Sequence, residues 1–106
     1  MKKRPSISHE DAQVEDFRKH PDRAVAYLNA CVQVAFEEND PELVLSALAV
    51  ISKAYGMTKL AKKTRLQRES LHRMLSKSGN PEWNSLFRVF RALRLQPRLE
   101  FVPTMA

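Results

Sequence analysis

Gln67, Arg68, Glu69, His72 and Arg73 fall within one short stretch, and their side chains suit the reading of nucleic-acid bases. An arginine can donate two hydrogen bonds to guanine, a glutamine can pair with adenine, and a glutamate can accept from cytosine. Leu71 and Met74 lie among them at helical spacing, followed by Leu75. If those apolar side chains turn inward, the five polar ones turn outward together. Just upstream, Thr58, Lys59, Lys62 and Lys63 carry the short polar and cationic groups that bind phosphate oxygens, as do Ser70 and Lys77.

Other chemistry finds little support. The three histidines, His9, His20 and His72, are far apart in the sequence, and none stands at metal-ligand spacing from Cys31 or from carboxylates. No catalytic constellation, metal site or cofactor is expected. Cys31, the single cysteine, excludes an internal disulfide and reads as a buried, reduced thiol, which fits the cytoplasm. Glu37, Glu38, Asp40 and Glu42 cluster around a turn. They read first as groups that cap and solvate helices, and second as an acidic patch for a basic protein. Trp83, Phe87 and Phe90 could stack on bases, but their helical spacing reads as core. Tyr27 and Tyr55 read as helix-packing residues.

The elements that must hold the polar set follow from the apolar pattern. Residues 1–14 are polar without periodicity and are expected to be loose, with a short helix over 14–19. Ala24, Val25, Leu28, Cys31, Val32, Ala35 and Phe36 predict a helix over 22–38 with one buried face. Asn39-Asp40-Pro41 ends it, and the Asp40 side chain is expected to cap the next helix, over 41–55. That helix is apolar nearly all round, which places it at the centre of a bundle or under a second subunit. Gly56 stops it. Two short helices, 58–64 and 68–76, then cross at the corner formed by Thr64, Arg65, Leu66 and Gln67. Leu60 and Ala61 face Leu71, Met74 and Leu75 across that corner, and Leu66 plugs it. This is a helix-turn-helix. Glycine is common at the turn position held here by Arg65, so a strained φ or a shifted turn is expected.

A last helix carries Trp83, Leu86, Phe87, Phe90 and Leu93. After it, residues 98–102 alternate polar and apolar, which predicts a short strand. A lone strand needs a partner for its backbone groups, so Leu99 and Phe101 are expected to pair with a second copy of the chain. The expected architecture is thus all-α: a five-helix, lambda-repressor-like helix-turn-helix bundle with a short C-terminal strand. Its parts are a flexible segment over 1–15, a helical DNA-binding domain over 16–96 and a strand or tail over 97–106.

Charge supports a polyanionic partner. Residues 1–56 hold seven Lys/Arg and nine Asp/Glu, a net of −2, whereas residues 57–106 hold eleven and three, a net of +8. Solubility does not require such a split. No run is long and apolar enough to span a membrane, and the basic start MKKRPSISHED lacks the apolar core of a secretion signal. No membrane association is expected.

A narrower likeness rests on three runs: HPDRAVAYLNACVQVAFEENDPELVLSALAVISKAYGMTKLAKKT, then LQRESLHRMLSKSGNPEWNSLFRVFRALRL, then LEFVP. Over residues 17–102 the chain resembles the addiction-module antidote proteins, HigA-like antitoxins of the Xre/Cro helix-turn-helix superfamily. The resemblance implies a homodimeric repressor that binds double-stranded operator DNA bearing an inverted repeat. It also implies neutralisation of a RelE/ParE-type toxin encoded beside it. The family usually has serine at the start of the recognition helix, where this chain has Gln67. The other function class is a protein-interaction module with a degenerate helix-turn-helix that does not bind DNA.

Overall fold

Six helices run through the described part of the chain in a computed structural model that describes residues 8–76, 78–98 and 100–104. In order they are α1 (His9–Lys19), α2 (Pro21–Glu38), α3 (Glu42–Tyr55), α4 (Met57–Thr64), α5 (Arg68–Met74) and α6 (Trp83–Ala92). The all-α class holds, but five helices with a C-terminal strand do not. Among the described residues there is no strand, and Phe101 and Val102 are 86% and 68% exposed. Alternation gives a segment two faces, but a strand exists only where another strand satisfies its backbone. Leu99, the other residue expected to pair there, lies outside the described residues, as do residues 1–7 and Lys77.

The N-terminal helix begins earlier than apolar periodicity suggests. The Ser8 hydroxyl accepts from the Asp11 amide at 3.0 Å, and Glu10 and Asp11 complement the positive end of the helix in its first turn. Residues 9–15, expected to be loose, are therefore helical. Tertiary contacts hold them: Phe17 is buried, Glu10 pairs with Lys53, and the Arg18 guanidinium donates to the carbonyls of Ala54 and Lys53 at 3.2 and 3.3 Å. Arg18 thereby satisfies carbonyls that α3 leaves free at its C-terminal end. Phe17 also meets Tyr27 of α2, with ring centroids 5.3 Å apart.

Pro21 opens α2 at a position where its missing amide costs nothing. Asn39 ends it in the left-handed conformation, φ 54°. The residue at the cap of α3 is Pro41, not Asp40, and it makes no side-chain capping hydrogen bond. Instead, the carbonyls of Asp40 and Pro41 accept from Leu43 and Val44, both at 3.1 Å, so the backbone turn starts the helix.

Of the two placements its composition allowed, α3 takes the central one within the chain and packs on α1, α2 and α4, with Ala47, Leu48 and Ser52 fully buried. Cys31 is buried as a free thiol. Two residues assigned to the inner face of α2 lie outside the core: Val25 is 41% exposed and Phe36 81%. The apolar stripe of α2 is wider than the surface that α3 and α1 offer it.

The last helix is turned relative to expectation. Val89 is fully buried, with Leu86, Phe90 and Leu93 packed partly against the core. Trp83 and Phe87, expected in the core, are 66% and 50% exposed and rest on each other with ring centroids 5.9 Å apart. Apolar residues at 83, 86, 87, 89, 90 and 93 cover more of the helix than α4 can bury, so one edge stays in solvent. Among the described residues no single helix is long and apolar enough to cross a membrane.

Candidate nucleic-acid interface

Two helix ends and one turn shape the site. Gly56, at φ 114° and ψ 112°, closes α3 and starts α4, and the chain changes direction by 101° between them. Few side chains adopt that conformation, and glycine does so without a Cβ clash. The Gly56 carbonyl then accepts from the Leu60 amide at 2.8 Å and sets α4 going.

Along α4 the division of faces is clean. Met57, Leu60 and Thr64 are buried, whereas Thr58, Lys59, Lys62 and Lys63 are exposed. The Lys59 ammonium lies 4.5 Å from the centroid of the Tyr55 ring, a cation–π contact that fixes the stem of one lysine.

At the turn, Arg65 takes φ 62° and ψ 28°, a left-handed conformation, so of the two outcomes expected there the strained φ is the one present. Leu66 is half-buried and packs on the core, as a corner plug should. No apolar spacing marks Thr64, yet it organises the turn. Its hydroxyl lies 2.8 Å from the Leu60 carbonyl and 3.3 Å from that of Ala61, and accepts from the Leu66 amide at 3.3 Å. Arg88 of α6 donates to the Thr64 carbonyl at 3.5 Å, tying the last helix to the same corner.

Gln67 is extended at the start of α5, and its side chain makes no cap, in keeping with a residue exchanged out of a capping role. Leu71, Met74 and Leu75 are buried. Arg68, Glu69, His72 and Arg73 are exposed with Gln67, and Ser70 is half-buried, 3.5 Å from the Arg73 guanidinium. The helix stops at Met74, short of residue 76, because the chain must turn under its own end. Gly79 sits there, and a Cβ at that position would collide with the carbonyl oxygens of Met74 and Arg73. The loop over residues 76–81 therefore closes on α5 only with glycine in that place.

The two helices also meet around a shallow concavity. Thr58, Lys59, Arg68 and His72 line it together with Arg18 of α1 and Lys53 of α3. Gln67, Glu69, Ser70, Arg73, Lys62 and Lys63 do not line it. Arg18 and Lys53 joined the cationic surface through the packing of α1 on α3, and no spacing in the sequence relates either one to Arg68. Asp11 is the acidic residue of the concavity. Among the described residues, Arg18 has Glu15 at 3.8 Å and Lys53 has Glu10, whereas Lys59, Lys62, Lys63, Arg68 and Arg73 are in no ion pair. A face of this kind attracts a polyanion, and the exposed side of α5 offers both donors and an acceptor to whatever lies against it. Among the described residues no three His, Cys, Asp or Glu side chains come together to hold a metal ion.

The family described as "probable addiction module antidote protein" matches residues 10–101. A Haemophilus influenzae (strain ATCC 51907 / DSM 11121 / KW20 / Rd) protein, described as uncharacterized, is 40% identical over 70 residues, which cover 66% of this chain and 68% of that protein. No solved structure matches.

Proposed function

Since the chain belongs to the family of probable addiction module antidote proteins, we propose that it is an antitoxin that also represses its own operon by binding operator DNA through α4 and α5. One observation carries the DNA-binding half of this reading. On α5, Leu71 and Met74 are buried while Arg68, Glu69, His72 and Arg73 all stand in solvent. A helix anchored on one side and lined with base-reading groups on the other fits a major groove. Thr58, Lys59, Lys62 and Lys63 on α4 would meet the flanking phosphates, as would Ser70 and Lys77, which is the division of labour of a HigA-like, Xre/Cro-type helix-turn-helix.

A single α5 would cover too few base pairs for useful specificity, so the repressor is a two-fold homodimer on an inverted repeat. Its half-sites would be spaced about 34 Å apart, one turn of duplex. The exposed pair Trp83 and Phe87, and the separately exposed Phe101, would supply apolar surface for that contact. The toxin would be of the RelE/ParE type.

The test is a mobility-shift titration with duplex DNA from upstream of the gene, repeated over a salt series. A repressor binds one inverted repeat in preference to scrambled duplex, and its affinity falls steeply with salt as counterions are released. Absence of duplex binding at low salt would leave a protein-interaction module in its place.

A further inference from the structure

Between Arg23 and Lys53 the sequence contains no lysine or arginine. Its four carboxylates there, Glu37, Glu38, Asp40 and Glu42, all lie at the corner where α2 passes into α3. The same corner carries an apolar groove. Ala35 and Phe36 of α2, Pro41 of the turn and Leu45 of α3 line one part of it, and Pro81 and Leu86 line another. Phe36 is 81% exposed, so its ring stands in water beside the groove. Glu42 also lines the groove, and Glu37, Glu38 and Asp40 are exposed. An apolar furrow with an aromatic anchor and an acidic rim has a definite complement.

That complement is cationic. A second copy docked here about a two-fold axis would set four carboxylates against the same four, because such an interface matches a surface to itself. Duplex DNA would be repelled by the same groups. We infer that the α2–α3 corner groove is where the toxin docks, through a segment that places an apolar side chain against Phe36 and lysines or arginines against Glu37, Glu38 and Glu42. The inference rests on the antitoxin reading above and adds the surface and the chemistry of the contact. Complementary charge steers the partner to this corner and away from the basic face, and the apolar contact at the centre supplies the hold. The groove and the concavity beside α5 have no lining residue in common. The proposed toxin and operator surfaces are therefore distinct.

The test uses the full-length chain and the purified product of the adjacent gene, with affinity read by titration calorimetry at two salt concentrations. Phe36→Ala should weaken binding by about tenfold or more. The triple variant E37K/E38K/E42K should abolish binding, and the parent's affinity should fall as salt rises. Asn29→Ala, exposed elsewhere on α2, should bind as the parent does. Circular dichroism should be unchanged in every variant, which separates a lost contact from a lost fold. If the parent binds and both groove variants match it, the toxin sits elsewhere and the groove is overturned while the antitoxin reading stands. If the parent itself does not bind, the antitoxin reading falls and takes the groove with it. If Phe36→Ala alters sedimentation of the chain alone and leaves toxin affinity intact, the groove is a self-interface and the inference is wrong.

Discussion

The Thr64 hydroxyl donates to the Leu60 carbonyl across 2.8 Å, one helical turn back, and the same oxygen accepts from the Leu66 amide at 3.3 Å. One buried side chain, 3% exposed, thus joins the last turn of α4 to the first residues beyond it. Arg65 between them is held at positive φ, and this clamp helps to hold it there.

Thr64→Val keeps the shape and removes the hydroxyl, leaving the Leu66 amide without that acceptor. We expect a loss of about 1–2 kcal/mol in unfolding free energy. Urea denaturation followed by circular dichroism measures it. A midpoint equal to the parent's would mean that the turn is held by packing of Leu66 alone.

Arg68→Ala and Arg73→Ala should each weaken binding to the preferred duplex by about 1–3 kcal/mol and relax the preference at one base pair. Both side chains are exposed, so helicity should not change. Lys62→Ala should weaken all duplexes alike and flatten the salt dependence, as loss of a phosphate contact does. Parent-like titrations for both arginine variants would show that α5 is not the reading helix.

Gly79→Ala should destabilise the fold by about 1–3 kcal/mol, since the new methyl meets main-chain carbonyls that cannot swing aside. The strain falls at the C-terminal end of α5, so duplex affinity should fall with stability. Thermal melts of the two proteins decide this, and an unshifted midpoint would contradict the close approach.

Trp83→Ser with Phe87→Ser removes the exposed aromatic pair of α6. Because Val89 and not these residues fills the core, the monomer should remain folded. Self-association should weaken by at least about tenfold, read by sedimentation equilibrium, as for loss of an aromatic anchor. Identical association constants would move the dimer contact off α6.

Much of this protein was legible in its residues because the signals were local. Three- and four-residue spacing specified α2, a nearly all-round apolar composition marked α3, Gly56 marked the break between α3 and α4, and of the strained φ or shifted turn expected at Arg65 the strained φ is present. The outward set on α5 followed from its inward leucines. Other features depended on what lies opposite each segment, which spacing does not encode. Residues 9–15 are helical because Glu10 and Arg18 find partners on α3, 43 and 36 residues further along the chain. Trp83 and Phe36 are exposed because their helices carry wider apolar arcs than their neighbours can cover. The alternation at 98–102 gives no strand among the described residues, since none beside it offers backbone hydrogen bonds. Periodicity says which side chains share a face, and packing alone says which face is buried.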